Sequence, residues 1–176
     1  MEGRLVLPRK SQAVVKGHKG VSQDGRSLAL GLVNSGLGVW GDMDQLVADN
    51  PELEDLREEV AESLTMSRAN KTLDTYRTPV DEWQDFAAKF KCRQFPVDEA
   101  AFLMFLQNGI NYDKSKGNKE GGLLNRVYGA DLVCNMLGVE GPGSLGSVKS
   151  MMESARRQLS RPTQKKLPCD KPLFIS

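Results

Sequence analysis

Residues 67–91 constrain the fold more than any other stretch of this chain. Leu73, Tyr76, Val80, Trp83, Ala87 and Phe90 recur there at steps of three and four. That is the period of a helix that buries one face. No segment alternates apolar and polar residues with a period of two, so the pattern argues for helices and against a sheet. Ser67 is the expected N-cap. Pro79 lies inside the pattern; it must kink the helix, or open a second one with Thr78 as cap.

The same period extends the helical reading in both directions. Residues 42–65 predict an acidic helical segment, capped by Asp42 or Asp44, with Leu46, Leu53, Leu56, Val60 and Leu64 as a partial stripe. Pro51 is expected to split it, Asn50 ending one piece. Downstream, Phe95-Pro96 opens a short helix over 97–108. Ala101, Phe102, Phe105 and Leu106 form its buried face, and Gly109 ends it. Asp98 and Glu99 in its first turn suit the helix dipole. A polar loop with Lys114, Lys116 and Lys119 should cover 111–120. The next helix is expected over 121–137, with Leu124, Val127, Tyr128, Asp131, Leu132 and Met136 on one side and Gly138 as its stop. The last is expected over 145–160, capped by Ser144 or Ser147 and stopped by Pro162. Its apolar face is Leu145, Val148, Met151 or Met152, Ala155 and Leu159. The fold class expected is all-α: a bundle of four to five helices over 66–162, with a disordered basic arm over 1–41 and a basic, linker-like tail over 163–176.

Charge is distributed more informatively than its sum. The net charge is +1, yet residues 42–62 hold nine acids against Arg57 alone. Residues 1–41 carry six basic side chains against Glu2 and Asp24, and 149–171 carry seven against Glu153 and Asp170. An acidic block thus conceals two basic segments. Cys92, Cys134 and Cys169 form no close pair and His18 is the one histidine, so neither a zinc site nor another metal or cofactor is expected. The N-terminus lacks the charged-then-apolar plan of a secretory signal, and no run reaches the ~20 apolar residues of a membrane span. No membrane association is expected, and an intracellular location is, nuclear in a eukaryote.

No catalytic set emerges. The Gly141-Pro142-Gly143 stretch lacks the strand-to-helix context of a phosphate loop and reads as a turn. His18 falls in the arm, where it could not serve as an oriented base. Asp81, Glu82 and Asp85 read as a solvated helix face. Groups suited to phosphate contact are present, however. Arg68, Lys71 and Thr72 lie near a helix start. Lys89, Lys91 and Arg93 cluster at its end. Lys149, Arg156 and Arg157 lie on the last helix, with Lys165 and Lys166 beyond it.

The order of these features resembles a known family. Ser67-x-x-Asn70-Lys71-Thr72-Leu73-x-x-Tyr76 followed by Trp83-x-x-Phe86 is similar to the first helix of the core-binding, SAM-like domain of tyrosine recombinases and phage integrases. Phe102-Leu103-Met104-Phe105-Leu106 after Pro96 resembles the second helix, and Met136-Leu137-Gly138-Val139 the end of the third. Val148 through Ala155-Arg156-Arg157, then Arg161-Pro162 and Lys165-Lys166-Leu167-Pro168, resembles the fourth helix and the linker to a catalytic domain. The resemblance covers about 67–173. Two departures stand out: Pro79 interrupts a helix usually continuous in the family, and Gly129-Ala130-Asp131 stands where a histidine is common.

In that family this domain is one jaw of a clamp around duplex DNA, and the nucleophilic tyrosine with its arginines, lysine and histidines belongs to the other. The resemblance therefore implies binding of double-stranded DNA without strand cleavage, in a recombination or integration context. It implies DNA contacts at Arg68, Lys71, Thr72, Lys89, Lys91, Arg93, Lys149, Arg156, Arg157, Lys165 and Lys166. A separate catalytic domain or a second copy of the chain are the further partners it suggests. Tyr76 and Tyr128 are expected to face the core. The alternative is a helical protein-interaction module with no nucleic-acid role, in which the acidic 42–62 helix and the core surface bind a partner.

Overall fold

The computed structural model describes residues 4–8 and 23–160. They form an all-α bundle: α1 (Gln23–Val33), α2 (Val39–Asp49), α3 (Glu54–Met66), α4 (Asn70–Lys89), α5 (Glu99–Lys116), α6 (Gly121–Leu137) and α7 (Gly146–Leu159). Single 3-10 turns, Pro51–Leu53 and Pro142–Ser144, precede α3 and α7. No strand occurs among the described residues, and none of their helices is long and apolar enough to cross a membrane.

The core is built around the helix that the sequence marks most clearly. Leu73, Val80, Trp83 and Ala87 of α4 are buried, and the Trp83 indole meets Phe102 edge-on at 5.0 Å and Phe105 at 5.4 Å. Its Nε1–H donates to the Gln94 carbonyl, so the ring is buried without an orphaned donor. Pro79 neither ends α4 nor divides it. Proline withholds one backbone hydrogen bond and crowds the preceding turn, a cost of about 3 kcal/mol. Burial of large side chains on both sides of it, each worth about 1.5–3 kcal/mol, offsets that. Phe90 departs from the stripe. The helix stops at Lys89, and Phe90 is left 54% exposed, packed on Phe86 at 4.8 Å.

Helix α6 is central rather than one-sided. Leu123, Val127, Ala130, Leu132, Val133, Cys134, Met136 and Leu137 are all buried, so apolar positions surround most of its circumference. It runs antiparallel to α4: Arg126 pairs with Glu82, and Gly129 lies against Val80 and Tyr76. Tyr128, expected in the core, is 41% exposed, and Tyr76 is only partly buried.

Helix α5 is longer than expected. It passes through Gly109 and takes in most of the segment expected as a loop, ending at Gly117. Gly109 serves a close approach instead of a stop. A methyl group there would sit 2.7 Å from a guanidinium nitrogen of Arg126. Asp98 caps α5 by accepting from the Ala101 N–H.

Three other expected caps are not made. Ser67 closes α3, its hydroxyl donating to the Leu64 carbonyl, and Ala69 precedes α4. Helix α2 starts at Val39, ahead of Asp42 and Asp44. Helix α7 follows Leu145 without a side-chain cap: the Ser147 hydroxyl donates to Glu99 and that of Ser144 to Glu140.

The arm expected over 1–41 is corrected where the structure describes it, at 4–8 and 23–41; its residues 1–3 and 9–22 lie outside the described residues. Leu5, Leu7, Leu28, Ala29, Leu32, Val33 and Trp40 are part of the hydrophobic core. Helix α1 packs along α3, where Ala29 and Ala61 are both buried, and the Trp40 Nε1–H donates to the Met136 carbonyl of α6. Residues 4–8 are held by the buried Gln84, whose amide oxygen accepts from Leu5 N–H while its nitrogen donates to Leu5 C=O. The side chain thus pairs with an extended backbone as a neighbouring strand would.

Candidate functional site

The basic residues marked by the sequence fall into separate clusters. Arg68 lies in the link between α3 and α4, and Lys71 and Thr72 lie in the first turn of α4. Ala69 supplies no side-chain cap and no acid stands in that turn. Helix N-termini carry free N–H groups and a partial positive charge, which here is joined by two exposed cations and a hydroxyl. Arg68 and Thr72 also line a cleft of about 400 Å³ with Tyr76, closed on the other side by Tyr128, Asp131, Leu132 and Asn135 of α6. Sequence reasoning missed those α6 residues as lining groups, because only the antiparallel pairing of α4 and α6 brings them there.

Lys89, Lys91 and Arg93 stand at the other end of α4. Twenty residues make that helix about 30 Å long, so the two clusters are not brought together. Lys71 and Lys89 are eighteen positions apart, five turns, and so share a face. Glu82 and Asp85 lie on that face between them. A polyanion could therefore touch the two ends of α4 but not its middle. The Lys89 ammonium sits 5.2 Å from the Phe90 ring centroid, and the Arg93 Nε–H donates to the Pro96 carbonyl.

On α7, Lys149, Arg156 and Arg157 are exposed, opposite the buried Val148, Met152, Ala155 and Leu159. Arg156 and Arg157 both approach Glu153, at 3.5 and 3.6 Å. Such exposed pairs contribute about 0–1 kcal/mol and yield readily to a competing phosphate. Lys165 and Lys166 lie outside the described residues.

Two titratable groups sit near the α4–α6 cleft. Burial pushes the Cys134 thiol up to about 12, with the nearby Asp131 charge adding to the effect, so Cys134 is a packing residue rather than a nucleophile. Asp131 accepts from the Gly143 N–H at 2.7 Å and pins the turn before α7. A methyl at Gly143 would collide with that carboxylate, which explains the glycine in this turn.

Burial raises the Asp131 carboxyl above its ordinary 3.8, and the Gly143 hydrogen bond partly opposes this. The folded chain then holds that proton more tightly than the unfolded chain. The contribution to stability is full below pH 3.8 and is lost as pH rises through the raised folded value. Asp131→Asn keeps an acceptor for Gly143 and removes the charge. Its stability relative to the parent is expected to improve between about pH 3 and about pH 7. Urea unfolding at both pH values checks this, and a relative gain confined to acid would refute it.

Comparison with protein families, curated proteins and solved structures yields no match to this chain.

Proposed function

We propose that this domain binds the sugar-phosphate backbone of double-stranded DNA, in a recombination or integration context, and does not itself cut the strand. The observation that carries the reading is the first turn of α4, where an uncapped helix start is joined by Arg68, Lys71 and Thr72. Phosphate oxygens are held by such groupings of N–H donors, cations and hydroxyls. The Lys89, Lys91 and Arg93 cluster lies about 30 Å away along α4, close to the ~34 Å pitch of a duplex, so both ends can reach phosphates one turn apart. Lys149, Arg156 and Arg157 add a further cationic patch. The ordered resemblance to a recombinase core-binding domain supports the same reading. It makes a separate catalytic domain, or a second copy of the chain, the further partner.

Contacts of this kind position the protein without reading sequence. Arg68→Glu combined with Lys71→Glu is therefore expected to weaken binding to duplexes of unrelated sequence alike. The salt slope should fall by about 1 for each phosphate that is no longer neutralised. Both side chains are exposed, so the fold should persist, as circular dichroism would verify. Unchanged affinity in the folded double variant would remove the α4 start from the interface. The alternative reading, a protein-interaction module, has one observation of its own: the groove between α2 and α3.

A further inference from the structure

The acidic face of α2 and α3 has no part in DNA binding, since its charge repels phosphate. It nevertheless leaves apolar surface uncovered. Leu46 of α2 is 53% exposed, and Leu56 and Val60 of α3 are 54% and 37% exposed. With Met43, Val47 and Leu53 they line a groove of about 230 Å³ between the two helices. Positions 43, 46 and 47 recur at helical spacing on α2, as do 56 and 60 on α3, with Leu53 in the 3-10 turn just before it. Each helix thus turns an apolar stripe toward the other and toward solvent.

The rim decides what can lie there. Arg57, the one cation of residues 42–62, points into the groove, and Asp44 and Glu54 neutralise it. Seven acids of the segment remain after those two of its nine are taken. Asp42, Glu52, Asp55 and Glu59 stand next to groove residues in the chain and are exposed. An anionic segment would bury itself against repulsion, a neutral apolar segment would gain burial but no attraction to the acids, and a second copy of this face would bring two acidic rims together. The complementary shape is a helix with an apolar stripe flanked by lysine and arginine. Helix α3 has 13 residues, about 20 Å, so about three turns of such a partner would fill the groove.

We infer that the α2–α3 groove is a docking site for a cationic amphipathic helix of a partner protein. Its apolar anchors at i, i+3 or i+4 and i+7 sit between Leu46 and Leu56, and its basic flanks face the acidic rim. This inference does not rest on the DNA reading, because the two surfaces share no residue.

The test uses the full chain and a fluorescent peptide of about 14 residues, with leucines at that spacing and lysines elsewhere. Leu46→Gln with Leu56→Gln changes only exposed side chains, so the variant should fold. Saturable binding is expected, weakened about tenfold or more in this double variant, given the transfer energy of two leucines. A peptide with glutamates in place of the lysines should bind weaker by at least a similar factor. Binding that ignores the two leucine substitutions, or that is equal for the two peptides, overturns the inference. Sedimentation closes the remaining route. A dimer of the chain that dissociates in the leucine variant would make the groove a self-interface and overturn it as well, whereas a monomer supports it.

Discussion

Arg126→Met is expected to lower the free energy of unfolding by about 3–5 kcal/mol, out of the roughly 5–15 kcal/mol that holds a typical domain. The Arg126 side chain is 12% exposed and lies between α4, α5 and α6. Its Nη1 donates to Asp113, whose side chain is 5% exposed, at 3.3 Å, and its Nε donates to Glu82 at 3.4 Å. Asp113 also accepts from the Asn118 amide. Removing the arginine leaves Asp113 buried with that single donor, and an unpaired buried charge is what makes breaking such a pair costly. The loss should be far smaller when Asp113→Leu is added, because replacing both partners removes the charge as well as its counter-charge. Denaturant unfolding of the single and double variants measures both quantities. A single variant within about 0.5 kcal/mol of the parent would mean that the network contributes nothing to the junction of the three helices.

Trp40→Ala should cost about 3–5 kcal/mol. Trp40 is fully buried, and its indole donates to the Met136 carbonyl at 2.9 Å, next to the end of α6. Truncation empties the space between the N-terminal helices and α6 and leaves that carbonyl without its donor. Trp40→Phe keeps much of the volume and loses the hydrogen bond, so about 1–2 kcal/mol is expected. These values distinguish an integral N-terminal region from an appended arm. A Trp40→Ala variant as stable as the parent would return residues 23–41 to the status of an arm.

The parts of the fold legible in the sequence are those where local signals suffice. Helix α6 spans 121–137 as read, because Gly138 punctuates a continuous apolar helix. The buried face of α7 is the one that period marks, and Asn50-Pro51 divides α2 from α3 as expected. The failures share one cause: partners distant in sequence. Leu28 and Leu32 form half of a helical stripe, but Gly31 lies between them, and only packing on α3 gives the stripe a purpose. Leu5 is held by Gln84, 79 residues away, and no local pattern announces that pairing. Gly109 reads as a stop until Arg126 appears beside it.

The candidate site was legible in a similar measure. Residue types and their order pointed to the start of α4, while the α6 side of the cleft depended on helix pairing. The groove followed from the Leu46, Leu56 and Val60 stripe already visible in the sequence. What the sequence left open was that these side chains stay exposed.

The most direct test of DNA binding is the affinity of the full chain for a duplex of about three turns, roughly 30 base pairs, measured between about 50 and 200 mM salt. A log-linear fall in affinity is predicted, with a slope corresponding to about four or more neutralised phosphates and little dependence on base sequence. Absence of binding at about 50 mM salt, or binding that salt does not weaken, would contradict it.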